Sequence, residues 1–171
     1  GEYALTEYTA PNGYLKAETI EFVVLPDGKV QVANGTDDNG NTIYNYVEKV
    51  VMEDAPSEIH ISKKEIAKSE ELPGAILRIV LEKADNSSAD LSGVKVTQNG
   101  ADAKGFKASI LEEEIEGEKI AKSYIEFESI AESDAVISKL PDGKYTLVEF
   151  QTPKDVNGND SHLKAESIGF T

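Results

Sequence analysis

From Gly1 to Leu5 the chain alternates in the manner of a strand, and Glu7 then stands where the alternation asks for an apolar side chain. In a β-strand residues two apart share a face, so Tyr3, Leu5 and Glu7 point together. The run ends in a Pro/Gly corner, Ala10-Pro11-Asn12-Gly13-Tyr14. Its first half returns at Gly143-Lys144-Tyr145-Thr146-Leu147-Val148-Glu149, where Tyr145, Leu147 and Glu149 share a face. Burying an acid is costly unless it is neutralised or paired, so a glutamate at a core position needs a partner or a chemical role.

The rest of the chain reads as strands of similar length. Short alternating runs are expected near Thr19 to Leu25, Lys29 to Ala33, Tyr46 to Glu53, Glu58 to Lys64, Ala75 to Glu82 and Val94 to Thr97. Others are expected near Phe106 to Leu111, Ser123 to Glu128, Ala135 to Ser138, Lys144 to Glu149 and Lys164 to Phe170. Turn signals such as Pro26-Asp27-Gly28 separate them, and the acidic run Glu112-Glu113-Glu114-Ile115-Glu116 is expected to be a solvated loop, with the start of a short helix as the alternative. This spacing predicts an all-β chain of Greek-key β-sandwich modules. With 171 residues, 39% of them apolar, there is material for one large or two small cores.

Two further ionisable residues occupy apolar positions. Ile59, Ile61 and Lys63 share one strand face, and Val50, Met52 and Asp54 share another. A single charge of this kind is ordinarily a solvated surface group, as Lys64 is. Four of them, Glu7, Asp54, Lys63 and Glu149, at the ends of Val/Ile/Tyr/Leu strands point instead to chemistry.

The pattern G-x-Y-x-L-x-E-x-x-A-P-x-G-Y resembles the E-box of the collagen-adhesin B-type (SpaA-like, prealbumin-like) repeat domains of Gram-positive pilins and adhesins. Glu58-Ile59-His60-Ile61-Ser62-Lys63-Lys64-Glu65 and Glu71-Leu72-Pro73-Gly74-Ala75-Ile76-Leu77 resemble the first two strands of that family. Val50-Val51-Met52-Glu53-Asp54-Ala55-Pro56 resembles its last strand. The resemblance implies an immunoglobulin-like or prealbumin-like sandwich, tandem modules, and an isopeptide bond between Lys63-type and Asp54-type residues assisted by buried Glu7 and Glu149. It also implies a wall-anchored, extracellular structural protein that is no enzyme beyond a single self-crosslinking turnover. The expected partners are neighbouring repeats. The alternatives are an adhesin module for a host protein or glycan, and a split module that exchanges strands between copies.

The chemistry suits these residue types. An amine attacks only when neutral, and an acid carbon is electrophilic only when protonated; burial among apolar groups favours both neutral forms. A glutamate between them shuttles protons, and confinement supplies effective molarity. Aspartate would release water and asparagine ammonia.

The order along the chain is unusual for the family: Glu7, Asp54, Lys63, Glu149. Residues 1–56 read as the back part of one module and 57–171 as the front of the next. A segment cut out of phase from a tandem array is expected; a rearranged chain, or strand lending between copies, would give the same order. Parallel neighbours need a crossover of a dozen or more residues, so the link from Ala55 to Glu58 cannot pair Asp54 with Lys63 locally.

The absence of cysteine removes disulfides and thioesters, and a formal charge of −15 argues against nucleic acid and anionic membranes. No apolar run reaches membrane-spanning length, and export or anchoring signals are expected outside these residues. Leu72-Pro73-Gly74-Ala75 is read as a turn rather than a sorting signal. Asp37-Asp38-Asn39-Gly40-Asn41 and Gln151 to Asp160 are read as turns rather than calcium loops. His60 and His162 are isolated and structural, so neither a metal nor a cofactor is expected.

Overall fold

Turn chemistry sets the limits of the first strands. In the computed structural model, which describes residues 1–84, 90–115 and 118–171, the chain is all-β and divides into unit 1, Gly1–Ala55, and unit 2, Pro56–Thr171. Unit 1 is an antiparallel meander of β1 (Glu2–Leu5), β2 (Ile20–Val24), β3 (Val30–Thr36) and β4 (Thr42–Val47). At Pro26-Asp27-Gly28 the Gly28 amide donates to Leu25 O at 2.9 Å and Gly28 takes φ +82°, a conformation that favours glycine. Register places Tyr3 opposite Phe22 and Phe22 opposite Val32, so one face of this single sheet is apolar.

The strand expected from Tyr46 to Glu53 is different. β4 begins at Thr42 and ends at Val47, because Val47 pairs with Val30, the first residue of β3, and the chain before Val30 is the Pro26-Asp27-Gly28 turn, which does not continue the ladder. Val50 to Asp54 therefore belong to no strand.

Unit 2 has two layers. The first is the sheet β13-β12-β6-β10-β9, built from β6 (Ile76–Ala84), β9 (Lys107–Ile115), β10 (Glu118–Glu128), β12 (Gly143–Gln151) and β13 (Ile168–Phe170). The second is β5-β11-β7-β8, built from β5 (Glu58–Ile61), β7 (Lys95–Gln98), β8 (Ala101–Asp102) and β11 (Ala135–Ser138). Leu77, Ile79, Ile125, Phe127 and Tyr145 of the first sheet meet Val96 and Ile137 of the second, with Ile59 and Ile61 packed against them. Unit 2 is thus a β-sandwich, and each such aliphatic or aromatic side chain taken out of water contributes ~1.5–3 kcal/mol.

The acidic run is strand rather than loop through Ile115. Residues 112–115 pair in antiparallel register with 118–121 of β10, so the ladder carries the acidic run on as strand. Glu116 lies outside the described residues. β8 has no counterpart among the expected strands.

On the outer face of the first sheet, Arg78 lies between the rings of Tyr124 and Phe150, at 4.7 and 3.3 Å from their centroids. Its Nε donates to Glu126 Oε2 at 2.5 Å, and Lys107 Nζ stands 2.8 Å from Glu126 Oε1. Burial opposes the charge on Glu126, but hydrogen bonds from Lys107 and Arg78 outweigh it and hold the carboxyl below its usual range. The folded state then binds this proton less readily than the unfolded chain. Its stabilising contribution is present above the unfolded glutamate value, about 4.3, and is lost as pH falls through the lower folded value. Glu126→Gln should cost unit 2 about 1–3 kcal/mol at neutral pH and flatten the acid limb of a plot of urea midpoint against pH. An acid limb identical to that of the unaltered protein would show that the cluster adds no stability.

Candidate functional site: a buried lysine–glutamate pair

The two glutamate hairpins are built alike. β1 pairs with β2 and β12 with β13, both antiparallel, and in each the tyrosine faces a phenylalanine: Tyr3 with Phe22 and Tyr145 with Phe170. The rings stack at 5.5 and 5.6 Å, both with interplanar angles of 20°. Beyond the corner, Leu15-Lys16-Ala17-Glu18 recurs as Leu163-Lys164-Ala165-Glu166. The Ala17 amide donates to Glu7 Oε2 at 2.7 Å, and the Ala165 amide donates to Glu149 Oε2 at 2.5 Å. The first half of the hairpin alone does not reveal these donors; the recurrence of the Leu-Lys-Ala-Glu run does.

This bond explains why β13 begins only at Ile168 although alternation extends back to Lys164. Past the pairing of Leu147 with Ile168, the Glu149 carboxylate captures the Ala165 backbone in place of a ladder partner. The span from glutamate to alanine is ten residues in unit 1 and sixteen in unit 2. The extra residues fall within the polar corner from Thr152 to His162, part of which lines a cavity of about 570 Å3 with Phe150 and Leu163 at its sides.

Lys63 comes to Glu149 from the other sheet. β5 ends at Ile61, two residues before Lys63, so Lys63 is not a strand residue. Its backbone is nevertheless pinned: its amide donates to Glu71 Oε2 at 2.8 Å and its carbonyl accepts the Leu72 amide at 2.6 Å. Ser62 Oγ donates to the other oxygen of Glu71. The buried Ser129 hydroxyl then ties this turn to the sandwich, donating to Leu72 O at 2.7 Å and accepting the Ala75 amide at 3.0 Å. Glu71 and Ser129 are positioning residues without a signal in the strand alternation, because both act on backbone made adjacent only by folding.

Lys63 Nζ stands 3.2 Å from Glu149 Oε1, with side-chain exposures of 14% and 2%. Oε1 lies off the direction of a hydrogen bond and has no hydrogen-bonding partner, although it is buried. A close ion pair without that bond meets only part of the desolvation cost, so the pair is poised rather than saturated. Among the described residues, Glu149 is the one carboxylate within ion-pair distance of Lys63 Nζ.

The other two residues singled out from the sequence belong to unit 1. Glu7 is half-buried in unit 1, and among the described residues no lysine stands within ion-pair distance of it. Asp54 is half-buried in the strandless stretch that closes unit 1, next to Ala55, whose carbonyl accepts the Leu15 amide at 2.8 Å. Lys63 and Asp54 belong to different units.

Comparison with protein-family models, curated proteins and solved structures gives no match. The site therefore rests on its own geometry.

The oxygen-rich turns serve the backbone. Asp37 Oδ1 accepts the amides of Asn39 and Asn41 at 2.9 and 2.8 Å, and Asp155 Oδ1 accepts those of Asn157 and Asn159 at 2.8 and 2.9 Å. These bonds hold both carboxyls below the usual aspartate range, led at Asp37 by the Asn41 side chain and at Asp155 by the Asn159 backbone. His60 pairs with Asp134 at 2.6 Å on the surface.

Proposed function

We propose that this chain is a structural, stalk-type segment of a bacterial surface protein, built from collagen-adhesin B-type modules and locked by a self-formed lysine isopeptide bond. The observation that carries the reading is the enclosed Lys63–Glu149 pair, held between two sheets with an unsatisfied carboxylate oxygen. Transfer of a proton from Nζ to Oε1 leaves a neutral amine beside a neutral acid, the state in which the amine is a nucleophile. An aspartic or asparagine side chain brought against Nζ would then be attacked at its carbonyl carbon. The C–N bond forms, the C–O or C–N bond to the leaving group breaks, and water or ammonia departs.

The repeated hairpin supports a tandem, Greek-key organisation, and a chain without cysteine gains in such a bond a staple independent of redox conditions. The strongly acidic surface suits an extracellular stalk. No helix among the described residues is long and apolar enough to cross a membrane.

The test is mass under denaturing conditions with peptide mapping. Every crosslink should remove one water or one ammonia and map to a branched peptide containing Lys63, and Lys63→Ala should abolish it. Unmodified Lys63 in every species would sink the reading. A second role, binding a host protein or glycan, is favoured by the cavity of about 570 Å3 under the long corner of unit 2. It requires saturable binding that shortening the corner between Thr152 and His162 abolishes.

A further inference from the structure

The long corner of unit 2 exceeds what its glutamate requires. In unit 1 the same hairpin returns from Glu7 to its alanine amide in ten residues, and that is enough to seat the carboxylate. Unit 2 takes sixteen, and its corner is ordered by its own bonds. Asp155 Oδ1 accepts the amides of Asn157 and Asn159, and Gly158 turns the chain with φ +82°. The Ser161 amide and hydroxyl both donate to Pro153 O, at 3.0 and 2.9 Å. Thr152, 6% exposed, closes the base of the corner by donating to Asp160 Oδ1 at 2.6 Å. The cavity of about 570 Å3 is therefore formed before anything enters it, which spares a ligand the cost of ordering the loop.

The lining has the chemistry of a polyhydroxylated ligand with one negative charge. Lys164 lines the cavity, and among the described residues no carboxylate lies within ion-pair distance of its Nζ. Lys154, the other lysine of the lining, is already neutralised by Asp160. In a chain of formal charge −15, an uncompensated lysine at a cavity wall is a place for an anion. A bare anion suits the rest of the lining poorly, because the Asp160 carboxylate repels it. A hydroxyl suits it well: Asp160 Oδ1 is taken by Thr152 and Lys154, and Oδ2 makes no hydrogen bond among the described residues. The Gln151 amide adds both a donor and an acceptor. Phe150 is 49% exposed although Arg78 lies over its ring, so it offers an apolar surface to the C–H face of a sugar.

We propose that this cavity binds an acidic sugar, a pyranose ring bearing one carboxylate. The carboxylate meets Lys164, the ring lies against Phe150, and the hydroxyls bond to Asp160 and Gln151. This rests on the second role given above to the corner and names the class of glycan that fills it. A lipid chain would need a wider apolar wall than Phe150 and Leu163 supply.

The full chain, isotope-labelled for protein-observed magnetic resonance, is titrated with methyl glucuronide, with its methyl ester and with methyl glucoside. The amide signals of residues 150–164 are followed. Glucuronide should shift them saturably, and the ester and the glucoside should bind about tenfold more weakly, since each lacks the charge-assisted bond to the lysine. Lys164→Gln should weaken glucuronide by the same factor and leave the glucoside unchanged; Lys164 is exposed, so the fold is kept. Phe150→Leu, which keeps apolar bulk and loses the flat ring, should weaken both sugars. Acetate, a carboxylate without a ring, should not saturate these signals at concentrations where glucuronide does. Equal binding of glucuronide and glucoside would keep a sugar site and overturn its choice of an acid. Glucuronide binding that acetate matches, or that Lys164→Gln leaves untouched, would overturn the assignment. Corner signals unmoved by all three sugars would overturn the proposal and remove the glycan from the second role, whereas a host protein whose binding a shortened corner abolishes would keep that role without the sugar.

Discussion

Glutamine at position 149 should leave unit 2 folded and Lys63 unmodified. The Glu149 carboxylate does two separable things. Its Oε2 accepts the Ala165 amide, which holds the start of β13, and its Oε1 faces Lys63 Nζ at 3.2 Å. Glutamine retains an acceptor oxygen for the Ala165 amide but cannot take the lysine proton, so the structural role survives and the chemical one does not. Loss of a positioned general acid–base group ordinarily slows a reaction by about 10²–10⁴, enough to remove the branched peptide from a digest that otherwise contains it. Circular dichroism of unit 2 should stay near that of the unaltered chain, while its urea midpoint falls, because the enclosed Lys63 loses its paired carboxylate. Alanine at the same position should behave differently, because it also orphans the Ala165 amide, at a cost of about 1–3 kcal/mol. A glutamine variant that crosslinks at the normal rate would remove Glu149 from the mechanism.

The same hairpin position should respond very differently to truncation in the two units. Tyr145 is 3% exposed, whereas its counterpart Tyr3 is 55% exposed. The Tyr145 hydroxyl also donates to Pro141 O at 2.6 Å. Tyr145→Ala should therefore destabilise unit 2 by about 3–5 kcal/mol, from the lost apolar contact and the cavity left behind. Tyr3→Ala removes mostly solvated surface and one ring stack with Phe22, and should cost unit 1 about 1 kcal/mol or less. Denaturant titrations following each unit by a local probe would show it. Equal losses would mean that the Tyr3 face is covered in solution as Tyr145 is in the sandwich.

That contrast shows how far alternation reaches. The pattern Gly-x-Tyr-x-Leu-x-Glu, with its turn residues, is enough to place a strand, its inward face and the glutamate at the end of it, and both hairpins follow it. The expected strands at Ile20–Val24, Ile76–Ala84 and Ala135–Ser138 likewise appear close to their expected limits, since period-two alternation and Gly/Pro punctuation act within a few residues. Strand ends were less legible. β4 stops at Val47 because β3 starts at Val30, and the acidic stretch to Ile115 is strand because β10 runs beside it. In both cases the deciding partner is remote in sequence.

The candidate site divides the same way. Alternation marks Lys63 and Glu149 as charges in apolar company, but it is silent on Glu71 and Ser129, which pin the lysine through backbone groups. Nor does it rank the glutamates: Glu149, with the longer and more polar corner, is the more enclosed, while Glu7, with the tighter corner, is only half-buried. Local sequence decided which residues alternate, where the chain turns and which acids face inward, because those properties depend on backbone sterics and neighbours a few positions away. Which inward face gains a second layer, and which acid meets an amine, depended on tertiary structure. Burial and ion pairing are set by what the rest of the chain brings across the sheet, and of two nearly identical hairpins the one in unit 2 has, among the described residues, a second sheet of its own unit packed on it.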